Sequence, residues 1–139
     1  MAIPVVTLKL QYPMITVLNM ASKILVVDDD AFILDALEEL LNYSGYEVIT
    51  ILKGDEVFEQ VERNSPDLIL LDIMLSGKDG RDICKLLKSN EKTKDIPVIM
   101  VSAHPAAHDA IKDVGADDIV SKPFDIHNLL SKIELQLSA

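Results

Sequence analysis

Short aliphatic runs recur along the chain from Lys23 onward, and each is followed by a stretch in which apolar residues return every three or four positions. The runs are Ile24-Leu25-Val26-Val27, Val48-Ile49-Thr50-Ile51, Leu68-Ile69-Leu70-Leu71, Val98-Ile99-Met100-Val101 and Ile119-Val120. They lack polar alternation, which predicts strands covered on both faces, as in a parallel sheet. Between them Leu34, Leu37 and Leu41 have helical spacing and stop before Gly45, while Val57, Phe58 and Val61 end ahead of Ser65-Pro66. Ile83, Leu86 and Leu87 mark a third helix. A fourth is expected from about Pro105 to Val114 with Ala107, Ala110 and Ile111 inward, and Gly115 stands where a helix end favours positive φ. Asp125 is placed to cap a last helix whose buried stripe is Ile126, Leu129, Leu130, Ile133 and Leu137. Five βα units in succession predict an α/β fold with a doubly wound, five-stranded parallel sheet and five helices.

Such a sheet opens its binding crevice at the carboxyl ends of the strands, so the polar residues just after each run carry the chemistry. The first run ends in Asp28-Asp29-Asp30, the third in Asp72, the fourth in Ser102 and the fifth in Lys122-Pro123. Carboxylates gathered this closely repel one another unless a cation neutralises them. All-oxygen donors that leave room for substrate phosphate suit Mg²⁺. Asp30 reads as the cap of the first helix, but one cap does not account for three consecutive carboxylates. Asp72 leaves an apolar strand at the crevice floor, where a carboxylate can attack phosphorus. Lys122 and Ser102 then provide an ammonium and a hydroxyl for the charge spread over a phosphoryl group. The Lys122-Pro123 step invites a cis peptide, with a trans bond in an ordinary turn as the alternative.

Composition narrows the remaining choices. The 139 residues, 49% of them hydrophobic, suit one domain over residues 23–139, preceded by an extension over residues 1–22. A formal charge of −10 argues against direct nucleic-acid binding, which needs clustered Lys and Arg. The single cysteine, Cys84, excludes an internal disulfide, fits a cytoplasmic protein and reads as a packed thiol. Met1 to Ser22 are apolar with Lys9 the one charge, but Pro4 and Pro13 divide them into pieces too short to span a bilayer. The missing basic region argues against a secretory signal, and Met20 is a candidate natural start, which would make the preceding residues an added strand or an expression remnant. His104 and His108, spaced i, i+4, lack a third ligand and read as exposed polar residues, and His127 has no constellation around it.

Four segments in order resemble a response-regulator receiver domain of two-component signalling, over Lys23 to Ala139. They are Ile24 to Asp30, Asp67 to Leu75, Gly77-Lys78-Asp79-Gly80, and Gly115-Ala116-Asp117-Asp118 with Ser121-Lys122-Pro123-Phe124. The resemblance implies a flavodoxin-like strand order 2-1-3-4-5. It also implies a phosphoryl group passed to Asp72 from the phosphohistidine of a sensor histidine kinase or a histidine phosphotransfer protein. Mg²⁺ would be held by Asp29, Asp72 and the Met74 backbone carbonyl, and through water by Asp28. Lys122 would pair with a phosphoryl oxygen and the Ser102 hydroxyl would move toward it, switching a downstream protein target. A homodimer is left open, and no membrane or nucleic-acid partner is expected.

Three positions depart from the family pattern. Ile119 stands in place of an aromatic side chain, the Ser102 to Gly115 connection is short with Pro105 at its start, and Ser76 stands where proline is usual. Competing readings are a receiver that docks without being phosphorylated, one cut from a hybrid kinase, and an aspartyl-phosphate phosphatase. The phosphatase would carry an acid/base carboxylate two residues after the nucleophile, where this chain has Met74. Turnover of external substrates is therefore not expected; phosphorylation and water-driven dephosphorylation of its own Asp72 are.

Overall fold

The computed structural model describes residues 21–104 and 111–138. Five parallel strands, β1 (Lys23–Val27), β2 (Glu47–Ile51), β3 (Leu68–Asp72), β6 (Val98–Ser102) and β7 (Asp118–Ser121), form one sheet in the order β2-β1-β3-β6-β7. The two remaining strands, β4 (Met74–Leu75) and β5 (Lys78–Asp79), make a small antiparallel hairpin beyond the end of β3. Without that hairpin the order is the expected 2-1-3-4-5. The described residues contain four α-helices: α1 (Ala31–Tyr43), α2 (Val57–Asn64), α3 (Gly80–Ser89) and α4 (Ile126–Ser138). The expected fourth helix, Pro105 to Val114, lies outside the described residues as far as 110, and its described end, Ile111–Val114, is a 3₁₀ turn.

Each strand side chain points to the face opposite its neighbour's, so the runs feed two cores. Leu25, Val27, Ile69, Leu71, Val98 and Met100 meet Val57, Val61, Ile83, Cys84 and Leu87 from α2 and α3. On the other face Ile24, Val26, Leu68, Leu70, Ile99 and Val101 meet Leu34, Leu37 and Leu41 of α1 with Leu129 and Ile133 of α4. The central strands β3 and β6 are buried along their whole length, as their uninterrupted aliphatic runs predict. The edge strand β2 departs from that expectation: its Val48, Ile49 and Thr50 are half-buried, because it has a neighbour on one side only.

Three helical positions expected inside are on the surface. Phe58, Leu86 and Ile126 are exposed, at 37%, 57% and 50%. In α3 the inward stripe is Ile83, Cys84 and Leu87, so the small thiol takes the place assigned to Leu86. Period alone could not choose between them, since 83, 84 and 87 share a helix face as readily as 83, 86 and 87 do.

Side chains at the amino ends of the strands fix their register. Asp67 Oδ2 accepts the Lys23 N–H (2.7 Å), and Asp117 Oδ2 accepts the Val98 N–H (2.8 Å) while its carboxylate pairs with Lys88 (2.8 Å). Gly115 adopts φ +82 just before Asp117, as the turn there requires.

Leu87→Ala should cost about 2–5 kcal/mol of unfolding free energy and Leu86→Ala less than about 1, although the two side chains are adjacent and alike. Urea unfolding of both variants checks the assignment of the inward face.

Candidate functional site

The backbone carries four of the expected residues to one place. Asp28 follows β1 directly, is 2% exposed, and its N–H donates to Ile51 O (3.2 Å). Asp30 accepts the N–H groups of Phe32 (2.9 Å) and Ile33 (3.4 Å) through Oδ1 and so caps α1, as expected. With that cap in place, the Asp30 N–H donates back to Asp28 Oδ1 (2.9 Å) and fixes the inner carboxylate. Asp72 is the last residue of β3, 5% exposed, and its Oδ1 accepts the Met74 N–H (3.1 Å). Lys122 reaches over from the end of β7, and its Nζ lies 2.8 Å from Asp28 Oδ2 and 2.9 Å from Asp72 Oδ2. The Lys122-Pro123 peptide is cis.

Asp28, Asp29 and Asp72 each offer a carboxylate oxygen, and these oxygens all lie within 4.8 Å of one another. Three carboxylates against one ammonium leave two negative charges in the crevice, an arrangement that calls for a cation. The donors are hard oxygens from two buried side chains and one exposed one, which fits a small divalent ion open to solvent on one side.

Burial raises the Asp72 carboxyl above the usual carboxylate range. The Lys122 ammonium and the Met74 N–H counter this in part, and the Asp28 charge adds to it. Burial by itself would lower Lys122, but its hydrogen bonds to Asp28 and Asp72 outweigh that and hold the ammonium above its ordinary value. Cys84 has its thiol raised to about 11 by burial in the α3 seam, consistent with a packed side chain rather than a nucleophile.

Ser102 ends β6 beside Asp72 and is 2% exposed, but its hydroxyl is turned to the loop backbone. It accepts the His104 N–H (2.9 Å) and donates to the His104 carbonyl (3.1 Å). The sheet brings Ser102 to the crevice rim; the loop holds its hydroxyl away from the carboxylates. Met74 contributes backbone, its side chain being 62% exposed. His104 and His127 are exposed, and His108 lies outside the described residues. Ile119, where the family pattern has an aromatic ring, is buried in the α2–α3 core.

Gly77-Lys78-Asp79-Gly80 shapes the floor. Gly77 turns the β4–β5 hairpin with φ +73, and the Gly80 N–H donates to Ile73 O (2.7 Å). A side chain at Gly80 would run into the Asp72 carbonyl, so the start of α3 can close against the strand end only with glycine there. Sequence reasoning missed one participant: Ser76 Oγ donates to Asp29 Oδ2 at 2.6 Å. In sequence Ser76 stands out only as a serine where proline is usual, and a contact spanning 47 residues leaves no local signal.

The fold is thus a doubly wound α/β domain whose acidic crevice is closed by one lysine. The family model for the response regulator receiver domain matches residues 24–134. A provisionally assigned response regulator from Chloroflexus aurantiacus is 32% identical, with a TM-score of 0.82, covering 86% of this chain and 100% of that one. The receiver domain of a signal transduction histidine kinase from Syntrophus aciditrophicus is 30% identical, with a TM-score of 0.78 and coverage of 85% and 91%. The chemotaxis response regulator CheY4 of Vibrio cholerae is 26% identical, with a TM-score of 0.78 and coverage of 84% and 99%. The chain belongs to the response regulator receiver domain family, the signalling modules of two-component systems. Among the described residues no helix is long and apolar enough to cross a membrane.

The raised Asp72 carboxyl carries a pH signature. A folded state that holds this proton more tightly than the unfolded chain loses stability as pH rises from the ordinary carboxylate range through the raised value. With chelator present, Asp72→Asn should remove that part of the decline and leave the protein more stable than wild type at pH 7. Thermal unfolding of both proteins between pH 4 and pH 8 reads the difference.

Proposed function

We propose that Asp72 accepts a phosphoryl group in a Mg²⁺-dependent reaction, and that the resulting acyl phosphate switches binding of a downstream protein. The donor is the phosphohistidine of a sensor histidine kinase or a histidine phosphotransfer protein. The observation that carries the reading is the pairing of a buried terminal carboxylate with a shared ammonium. Asp72 stands at the end of β3 with Lys122 Nζ 2.9 Å from its Oδ2, inside a cluster whose charge is unbalanced without a cation.

In the transfer, a carboxylate oxygen of Asp72 forms the new bond to phosphorus as the P–N bond to the donor imidazole breaks. The imidazole leaves with the electron pair of that bond. Asp29, Asp72 and the Met74 carbonyl would hold Mg²⁺, with Asp28 beside them. Bound there, the ion offsets the negative charge of the phosphoryl oxygens and the carboxylates together. Lys122 bridges Asp28 and Asp72 before transfer, and afterwards its ammonium pairs with a phosphoryl oxygen instead of Asp72 Oδ2. Ser102 exchanges its bonds to His104 for one to the phosphoryl group, which lets the new charge favour one of two loop arrangements.

Water attack on the acyl phosphate resets the switch, and the protein turns over no external substrate. Its site of action is the cytoplasm. Residues 23–139 form the signalling module and residues 1–22 an extension. A second reading, a receiver carried within a hybrid kinase, is supported by the likeness to the Syntrophus kinase receiver and leaves the chemistry unchanged.

Intact-protein mass after incubation with acetyl phosphate and Mg²⁺ tests the proposal. The wild type should gain one phosphoryl group, and Asp72→Asn or added chelator should abolish the gain. Lys122→Ala should reduce its rate at least about tenfold. A folded, Mg²⁺-binding wild type that gains no mass would turn the reading toward docking without phosphorylation.

A further inference from the structure

Asp28 and Asp72 are each tied down twice, by a backbone N–H and by Lys122. Asp29 is different. It is exposed, Lys122 does not reach it, and among the described residues its hydrogen-bond partner is the Ser76 hydroxyl, 2.6 Å from Oδ2. An exposed aspartate without such a tether exchanges between rotamers, and ordering it costs free energy when a ligand binds. A hydroxyl donating to a carboxylate at this distance is a strong, charge-assisted bond. It leaves the second oxygen of the carboxylate free for another partner.

Ser76 is itself held by rigid parts. It opens the two-residue turn between β4 and β5, whose register pairs Met74 with Asp79 and Leu75 with Lys78. Leu75 is buried in the core, and Lys78 Nζ lies 2.8 Å from Asp55 Oδ1. Gly77, at φ +73, supplies the conformation that position i+2 of a type II turn needs, and Ser76 occupies i+1, where proline also fits. A hydroxyl at i+1 adds nothing the turn requires. It does close a bridge from the hairpin to the β1–α1 loop across the mouth of the crevice.

We propose that Ser76 is a positioning residue: its hydroxyl holds the Asp29 carboxylate over the crevice before the divalent cation arrives, and so sets the affinity for that cation. The inference rests on the reading of the acidic crevice as a cation site. Partners that orient a ligand from outside the coordination shell typically change metal affinity by about 10–100-fold when removed.

The test is calorimetric titration of Mg²⁺ into the unphosphorylated chain. Ser76→Ala should weaken binding about tenfold. Ser76→Thr, which keeps the hydroxyl, should retain wild-type affinity. Ser76→Pro keeps or stiffens the turn but lacks the hydroxyl, so it should weaken Mg²⁺ as alanine does while its unfolding midpoint in chelator is at least that of Ser76→Ala. In an Asp29→Asn background, Ser76→Ala should have no further effect. Unchanged or tighter binding by Ser76→Ala, or an equal loss with and without Asp29, overturns the role of Ser76 and leaves the cation site standing. A wild type that binds no Mg²⁺ overturns both.

Discussion

Everything at the working end of this domain depends on one electrostatic constraint: two buried carboxylates share a single ammonium. Asp28 and Asp72 project from adjacent strands of the sheet centre, and burial pushes the Asp72 carboxyl toward the neutral form. Lys122 Nζ sits within 3 Å of both, which counters part of the burial effect on Asp72 and holds the lysine charged. Such a triad gains little net stability, because withdrawing three charges from water offsets much of their attraction. What it leaves is a charge imbalance, with a further carboxylate at the rim, that fits a cation.

The fold is the device that makes this imbalance reproducible. Parallel pairing sets the ends of β1, β3 and β6 side by side, and the registers Val27↔Leu71 and Asp72↔Val101 leave little freedom in where Asp28 and Asp72 lie. Both faces of those strands are packed, so a one-residue slip would exchange the contents of the two cores. Gly80 allows α3 to press against the Asp72 carbonyl from below. The precision of the crevice is therefore inherited from aliphatic packing many ångströms away.

How much of this was legible in the sequence follows from the range of each interaction. Strand runs and the α1 stripe were readable because burial imposes a period on neighbouring residues: Leu34, Leu37 and Leu41 are inside, as spacing required. Asp28, Asp29, Asp72 and Lys122 were readable because they stand where aliphatic runs stop, and the sheet turns three strand ends into one place. Phe58, Leu86 and Ile126 were misassigned because a helix face is decided by what lies opposite, and Cys84 was small enough to take the inner seat. The Ser76–Asp29 contact left no trace in the sequence for the reason that defines tertiary structure: its two partners are remote in sequence and adjacent only after folding.

Ser102 shows what the proposed switch would have to overcome. Its hydroxyl makes two hydrogen bonds to the His104 backbone, each worth about 0.5–1.5 kcal/mol net, and its carbonyl accepts the Lys122 N–H at 2.9 Å. Turning the hydroxyl toward the crevice gives up the first two bonds and keeps the third, so the cost falls on the loop and not on the β6–β7 pairing. On the proposed reading, a phosphoryl charge at Asp72 would need to offset only a few kcal/mol to favour the turned hydroxyl, within the range of charge-assisted hydrogen bonds. Ile119 packs in the α2–α3 core without a polar tip, so movement of Ser102 cannot be reported by relocating a ring hydroxyl or ring edge on β7. On the proposed reading, the His104 backbone that holds the Ser102 hydroxyl is what remains to carry the change.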